Sequence, residues 1–363
     1  MSDTGEAQGP DRAALRAAFL EKAEWGEASL APLAGDASTR SYARAQKGDQ
    51  RALLMDAPPG REAANCPPGA DEKERETLGY NAMARLAGPR LEAFTALSRW
   101  LNEAGVRAPQ IYAEDRESGL ALIQDFGNRH LVDAATDLKA EASLYARALD
   151  VLRTVRKRTV TPGDIGGWTL MTYDPLVLRT EASLLPEWYV PHLGGTVGAE
   201  AQDAWDAAWA DLIGRMGPPD TLVLRDFHAE NILVPDEGAL AVIDFQDALI
   251  GHAPYDVVSL LEDARRDVDL GLAGELYQED RDSAPDPGAY ETAYAVLAAQ
   301  RNAKILGIFA RLIHRDGKDR YADFIPRVAA HMARDLDRPA VAPLRAWAER
   351  YLPGLLSDGG GRS

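Results

Sequence analysis

The segment LVLRDFHAENILVPDEGALAVIDFQ, residues 222–246, is the part of this chain that decides its fold. Two short apolar runs within it, LVL and LAVI, have the length and composition of buried strands. Asp226 and Asn231 follow the first run, and Asp244 ends the second, thirteen residues after Asn231. A simple turn between two strands explains the first two polar residues. It does not explain a second aspartate placed after a second strand.

The chemistry that suits these three side chains is phosphoryl transfer. That reaction needs little covalent help from a protein, but it needs an oriented acceptor hydroxyl and a divalent cation held against the phosphate oxygens. One carboxylate facing the hydroxyl, with a carboxamide and a second carboxylate on Mg²⁺, meets both needs.

The same residues resemble the active site of the protein-kinase-like phosphotransferases. The run LRDFHAENIL resembles their catalytic loop, and Asp244-Phe245-Gln246 resembles their metal-binding Asp-Phe-Gly. His228, two residues after the first aspartate, is the form found in aminoglycoside phosphotransferases and related small-molecule kinases. The resemblance implies that Asp226 is the catalytic base, that Asn231 and Asp244 bind Mg²⁺, that ATP is the phosphate donor and that His228 contacts the acceptor.

The rest of the chain fits the two-lobed α+β fold of that family. The runs SYARA, RALLMDA, QIYAED and LALIQDF predict a small antiparallel sheet, and apolar periodicity predicts helices at 11–24 and 90–102. We therefore expect an N-terminal lobe over 1–123, a hinge at 124–128 and a mainly helical C-terminal lobe over 129–363. Periodicity predicts the helices of that second lobe at 138–158, 175–189, 198–216, 290–314 and 339–351.

The turn GDASTR, residues 35–40, resembles the family's loop over the ATP phosphates. Ser38, Thr39 and the backbone N–H groups of this turn can all donate hydrogen bonds to phosphate. The strand that carries a phosphate-pairing lysine in the family reads ALLMD here and has no lysine. We expect Arg40 or Arg44, which share a face of the neighbouring strand, to replace it.

Two further segments extend the resemblance. Gln124, Asp125 and Phe126 resemble the hinge whose backbone contacts adenine. Asp256 resembles the aspartate that braces the catalytic loop, while His252 has no metal-ligand partner at helical spacing and is expected to be structural.

The acceptor is predicted from a closer resemblance. The runs GDASTR, LMDAPP, DFQDA and QRNAKILGIFARL are similar to those of bacterial anomeric sugar kinases, which phosphorylate N-acetylmuramate and N-acetylglucosamine at C1 in cell-wall recycling. Trp188 and Tyr189 could stack on such a sugar, or they could belong to the core. Arg301 and Lys304 could pair with the lactyl carboxylate of N-acetylmuramate, or they could form a solvated charged face.

Composition and charge exclude other classes of protein. The chain has 363 residues, of which 46% are hydrophobic and 27% charged, so it is not disordered. Its net charge of −17 disfavours binding to nucleic acid. The single cysteine, Cys66, permits no internal disulfide. We see no signal-peptide pattern and no apolar run of about 18 residues, so we expect a cytoplasmic protein that does not bind a membrane. Oligomeric state is not predicted.

Two alternatives remain open from the sequence. An aminoglycoside kinase would suit the acidic net charge, because its substrates are polycations. A pseudokinase that binds nucleotide without turnover would explain the absent lysine and Leu224, which stands where these loops usually have histidine.

Overall fold

The computed structural model describes residues 11–33, 40–59 and 66–358. The predicted phosphate turn, including Ser38 and Thr39, lies outside the described residues except for Arg40. Within the described ranges, no helix is both long and apolar enough to cross a membrane.

A five-stranded antiparallel sheet forms the core of the N-terminal lobe, with strand order β1-β2-β3-β5-β4. Its strands are β1 Ser29–Pro32, β2 Ser41–Lys47, β3 Gln50–Asp56, β4 Ile111–Asp115 and β5 Leu120–Gln124. This confirms the predicted antiparallel sheet. β5 ends at the first residue of the predicted hinge.

Helices cover both faces of this sheet, which explains why β5 is apolar at consecutive positions. Leu120 and Leu122 pack with Phe19 and Leu20 of the first helix. Ala121 and Ile123 belong to the main core on the other face. Four helices accompany the sheet in sequence: α1 Arg12–Lys22, α2 Glu72–Leu78, α3 Tyr80–Met83 and α4 Leu91–Glu103.

The second lobe is mainly helical, as predicted. Aspartate side chains cap the first turns of several of its helices, including Asp137 before α6 and Asp286 before α12. Its α-helices are α5 Leu131–Ala134, α6 Leu138–Arg156, α7 Pro175–Ala182, α8 Val190–His192, α9 Ala199–Arg215, α10 Pro254–Leu261, α11 Leu270–Asp282, α12 Pro287–His314, α13 Ile325–Leu336, α14 Ala342–Tyr351 and α15 Pro353–Asp358. Short 3₁₀ turns occupy Ala229–Asn231, Asp319–Phe324 and Pro339–Val341.

The prediction of one helix over 175–189 is wrong. α7 ends at Ala182, and a π-helical turn follows over Leu185–Tyr189. Pro186 has no N–H to donate to a preceding carbonyl, which breaks the regular ladder. Gly307 of α12 lies so close to Leu184 that a Cβ atom would be 2.3 Å from its backbone. Close packing therefore fixes the irregular segment against α12.

Short antiparallel strand pairs hold the decisive segment inside the second lobe. These pairs are β8 Thr221–Val223 with β11 Leu249–Gly251 and β9 Ile232–Leu233 with β10 Ala241–Val242, and a further pair, β6 Gly163–Asp164 with β7 Thr169–Leu170, lies outside this segment. All four of the strands β8 to β11 are buried, so the loops between them are anchored at both ends.

Candidate active site

The catalytic loop, Arg225–Asn231, is held in a specific backbone conformation by Asp256 of α10. The Asp256 carboxylate accepts the N–H of Leu224 at 2.7 Å and that of Arg225 at 3.0 Å. Burial raises the pKa of Asp256 to about 7, and these two N–H donors act against the rise. Arg225 has a φ of 70°, a conformation that non-glycine residues rarely adopt without such support. The predicted bracing role of Asp256 is confirmed.

The three side chains predicted to carry the chemistry lie together. The Nδ2 atom of Asn231 donates to the backbone oxygen of Asp226 at 3.0 Å and lies 3.5 Å from Oδ2 of Asp244. Gln246 donates to Oδ1 of Asp244 at 2.8 Å. Asp244 has a φ of 59°, and Phe245 beside it stacks on Phe94 of α4 with ring centroids 5.1 Å apart. Core packing thus positions the aspartate at the end of its strand.

The oxygen atoms of Asn231 and Asp244 suit Mg²⁺. Kinase sites hold this ion with few protein ligands, and phosphate oxygens and water complete the octahedron. The described residues contain no cluster of three or more His, Cys, Asp or Glu side chains that could hold a metal ion.

The two carboxylates differ in their electrostatic environment. Burial alone would raise the pKa of Asp226, but Lys304 and other nearby cations outweigh it and hold that pKa below its usual value. Crowding by protein atoms and the charge of Asp226 raise the pKa of Asp244, although about half of its side-chain surface is open to the cleft. Asp226 is therefore ionised at neutral pH, and Asp244 gains from a cation bound beside it.

His228 is buried and faces the site in its neutral form. Burial lowers its pKa to about 4. Two donors, Asn231 Nδ2 at 3.3 Å and Arg265 Nη1 at 3.2 Å, approach its Nε2 atom. Nε2 must accept, so the hydrogen-bond network assigns the proton to Nδ1. The buried Nδ1 atom has no hydrogen-bond partner among the described residues.

A cavity of about 250 Å³ opens beside Asp226 and His228. Arg301 and Lys304 also line it, so the structure brings together three of the predicted acceptor residues around the predicted base. Trp188 and Tyr189 do not line it. Tyr189 is 1% exposed inside the second core, and Trp188 packs against that core. This aromatic pair therefore belongs to the core, which is one of the two alternatives that the sequence left open.

The model of the phosphotransferase enzyme family matches residues 29–293, which is more than half of the chain and includes the whole catalytic segment. The chain belongs to this phosphotransferase family.

Relatives of this phosphotransferase and a solved structure agree with the family. It is 41% identical to an N-acetylmuramate/N-acetylglucosamine kinase of Caulobacter vibrioides, over 94% of this chain and 97% of the relative. It is 33% identical to the kinase of the same name from Pseudomonas aeruginosa, over 88% of each chain. A microcompartment-associated aminopropanol kinase superposes with a TM-score of 0.57 at 17% identity, over 96% of this chain and 98% of the other. The predicted family and kinase-like fold are confirmed.

The predicted replacements for the missing lysine lie in different parts of the phosphotransferase cleft. Arg40 Nη1 lies 4.0 Å from Oδ1 of Asp244, and Arg40 also donates to the backbone oxygen of Gly88. Arg44 forms an ion pair with Asp125 at 2.6 Å and donates to Asn128 at 2.8 Å. Arg40 is therefore beside the predicted metal ligand, whereas Arg44 is at the hinge.

The hinge residues of the phosphotransferase are also fixed by contacts. The backbone N–H of Gln124 donates to Gln110 at 2.9 Å, and the Arg107 guanidinium lies 4.8 Å from the ring centroid of Phe126. The side chain of Asp125 is 1% exposed in its ion pair with Arg44. Their predicted contact with adenine stays a prediction.

Sequence reasoning missed a buried ionic network behind the catalytic loop. Glu181 of α7 accepts hydrogen bonds from Arg225 and Tyr173, and its carboxylate lies 3.6 Å from Nζ of Lys304. Lys304 also donates to the hydroxyl of Tyr255 at 2.8 Å. No spacing in the sequence connects residue 181 with residue 225, so only the fold reveals this contact.

Two other residues, His252 and Arg156, have structural roles. His252 Nε2 contacts the backbone oxygen of Gly217 at 2.7 Å, in line with the structural role predicted for it. Arg156, near the end of α6, forms an ion pair with the buried Asp280 at 2.8 Å.

Proposed function

We propose that this phosphotransferase transfers the γ-phosphoryl group of ATP to the anomeric C1 hydroxyl of N-acetylmuramate and N-acetylglucosamine. The observation that carries the proposal is a cationic cavity of one-sugar size beside an ionised Asp226. The kinases to which this chain is similar are named for both sugars. The reaction would serve cell-wall sugar recycling in the cytoplasm.

In this proposal Asp226 accepts a hydrogen bond from the C1 hydroxyl and orients it toward the γ-phosphorus. Its lowered pKa makes it a weak base, so the proton moves to it late, as the new P–O bond forms. The neutral His228 lines the same cavity as Asp226. Asn231 and Asp244 hold Mg²⁺, which neutralises phosphate charge when bound.

The size of the cavity favours one sugar ring. Its volume of about 250 Å³ falls below the roughly 300–1,000 Å³ typical of sites for drug-sized ligands. A multi-ring aminoglycoside needs a larger site.

The charge of the cavity also disfavours the aminoglycoside alternative. Five cationic side chains line it against three carboxylates, although the net charge of the whole chain is −17. The cations are Arg225, Arg265, Arg301, Lys304 and Arg311, and the carboxylates are Glu181, Asp226 and Asp247. Local charges at close range outweigh distant charges, which salt screens beyond about 10 Å. Polycationic acceptors would be repelled, whereas neutral or anionic sugars would not.

Steady-state kinetics with four acceptors test this function. We expect ATP-dependent turnover of N-acetylmuramate and N-acetylglucosamine, and none of kanamycin or of the methyl glycoside of N-acetylglucosamine, in which the anomeric hydroxyl is blocked. Turnover of the methyl glycoside would contradict C1 as the site of transfer. Turnover of kanamycin alone would favour the aminoglycoside reading, and binding of ATP without any turnover would favour the pseudokinase.

Arg40 is proposed to replace the missing lysine at the ATP phosphates. Arg40 is 9% exposed, and its guanidinium lies beside Asp244, where the phosphates must meet Mg²⁺. Arg40→Ala is expected to raise the KM for ATP or lower kcat by roughly tenfold to a hundredfold, because one charge-assisted contact contributes about 1.5–3 kcal/mol. Initial rates at varied ATP concentration measure this.

Arg51→Ala is the matched control, since Arg51 is exposed on the neighbouring β3. It should behave as the wild type. Wild-type kinetics for Arg40→Ala as well would show that metal and backbone alone hold the phosphates.

A further inference from the structure

Arg311, near the end of α12, differs from the other cations of the cavity in its partners. Arg225 and Lys304 are close to Glu181, and Arg265 pairs with Glu230 at 3.1 Å. For Arg311 the described residues provide no carboxylate within ion-pair distance, and its buried Nε atom has no hydrogen-bond partner there.

The Arg311 guanidinium lies over an aromatic ring. Its central carbon lies 4.8 Å from the ring centroid of Tyr80, which also lines the cavity. Burial raises the pKa of Tyr80 to about 12, so the phenol stays neutral and does not pair with the arginine as a phenolate. Stacking covers one face of the guanidinium and leaves its N–H edge free. That edge matches the two oxygens of a carboxylate.

Arg301 is a weaker candidate for the same task. It lies on the same helix and lines the same cavity, but its Nη1 atom donates to the backbone oxygen of Glu262 at 3.2 Å. The Arg301 side chain therefore connects α12 to the end of α10.

We propose that Arg311, supported by Tyr80, binds the carboxylate of an acidic acceptor sugar and determines the preference for N-acetylmuramate over N-acetylglucosamine. The inference rests on the proposed function, because the two sugars differ by the lactyl group that carries this carboxylate. Arg311 is thus a specificity residue of the acceptor site, separate from the side chains that act on the reacting hydroxyl.

The test compares kcat/KM for the two sugars in the wild type and in Arg311→Gln. We expect the ratio of kcat/KM for N-acetylmuramate to kcat/KM for N-acetylglucosamine to fall by tenfold to a hundredfold in the variant, because one charge-assisted bidentate contact is lost. The methyl ester of N-acetylmuramate gives a second measurement. The wild type should lose a similar factor on the ester, and Arg311→Gln should distinguish acid from ester by less than about threefold.

Two further variants separate recognition from a structural effect. Arg315→Gln removes an exposed arginine one turn further on, paired with Asp316, and should keep the wild-type ratio. Arg311→Lys keeps the charge but not the fork, so it should restore part of the discrimination between acid and ester.

An equal fall of kcat/KM for both sugars in Arg311→Gln, or undiminished discrimination between acid and ester, would overturn the inference. Neither result would affect the proposed function, which is tested separately by wild-type turnover of the two sugars and of the methyl glycoside.

Discussion

Replacing Asp226 with asparagine is expected to lower kcat by about a hundredfold to ten-thousandfold and to change the KM for ATP by less than about threefold. The carboxylate is held ionised by Lys304 and nearby cations, and it is the only side chain of the proposed mechanism that can accept the proton of the sugar hydroxyl. Asparagine has nearly the same shape but cannot accept that proton. Steady-state kinetics with either sugar, together with binding of an ATP analogue, measure both quantities.

Asp236→Asn is the matched control for this substitution. Asp236 is exposed in the loop between β9 and β10, only ten residues further along the chain. It should leave kcat unchanged. An undiminished kcat in Asp226→Asn would remove this residue from the mechanism, and a large rise in the KM for ATP would indicate a nucleotide contact instead of a base.

The sequence predicted the catalytic segment well because its determinants are local. Asp226, Asn231 and Asp244 lie within 19 residues, and two buried strand pairs fix their spacing. The bracing contact from Asp256 was also predictable, because the family resemblance extends over it. Of the short strands, β8 and β10 were predicted from the apolar runs LVL and LAVI.

Elements without a local signal were missed. β1, Ser29–Pro32, is an exposed edge strand that ends in proline and contains no buried residue, so no hydrophobic pattern marks it. The helical periodicity of 175–189 was real, but it could not show the π-helical turn that Pro186 and the packing of α12 impose. Tertiary contact decided both cases.

The acceptor site shows the same limit. Net charge suggested a preference for polycations, but folding brings Arg265 and residues of α12 to the same cavity and reverses the local sign. Arg311 lies within the quoted run QRNAKILGIFARL, but the sequence does not show its proposed role, which depends on the ring of Tyr80, more than 200 residues earlier in the chain.

The buried network behind the catalytic loop leads to the second large expected effect. Glu181 is 1% exposed, and its carboxylate neutralises Arg225 and contacts Lys304. Burial would raise the pKa of Glu181, but the two cations outweigh burial and hold that pKa below its usual value. Lys304 has a raised pKa because Glu181 outweighs the opposing effect of burial. All three groups are therefore charged at neutral pH.

Glu181→Gln is expected to lower the free energy of unfolding by about 3–5 kcal/mol, because it leaves Arg225 and Lys304 buried without their shared carboxylate. Because folding lowers the pKa of Glu181, its contribution to stability is present above the unfolded-state pKa near 4.5 and is lost as the pH falls below that value. Because folding raises the pKa of Lys304, the contribution of this lysine persists up to strongly alkaline pH. In the wild type, the stabilisation from this network is therefore constant from pH 6 to 8. Urea unfolding at several pH values measures it.

Glu187→Gln, at an exposed position six residues further on, should cost less than about 0.5 kcal/mol. If Glu181→Gln cost no more than this control, the network would not stabilise the fold, and the conformation of Arg225 would have to depend on Asp256 alone.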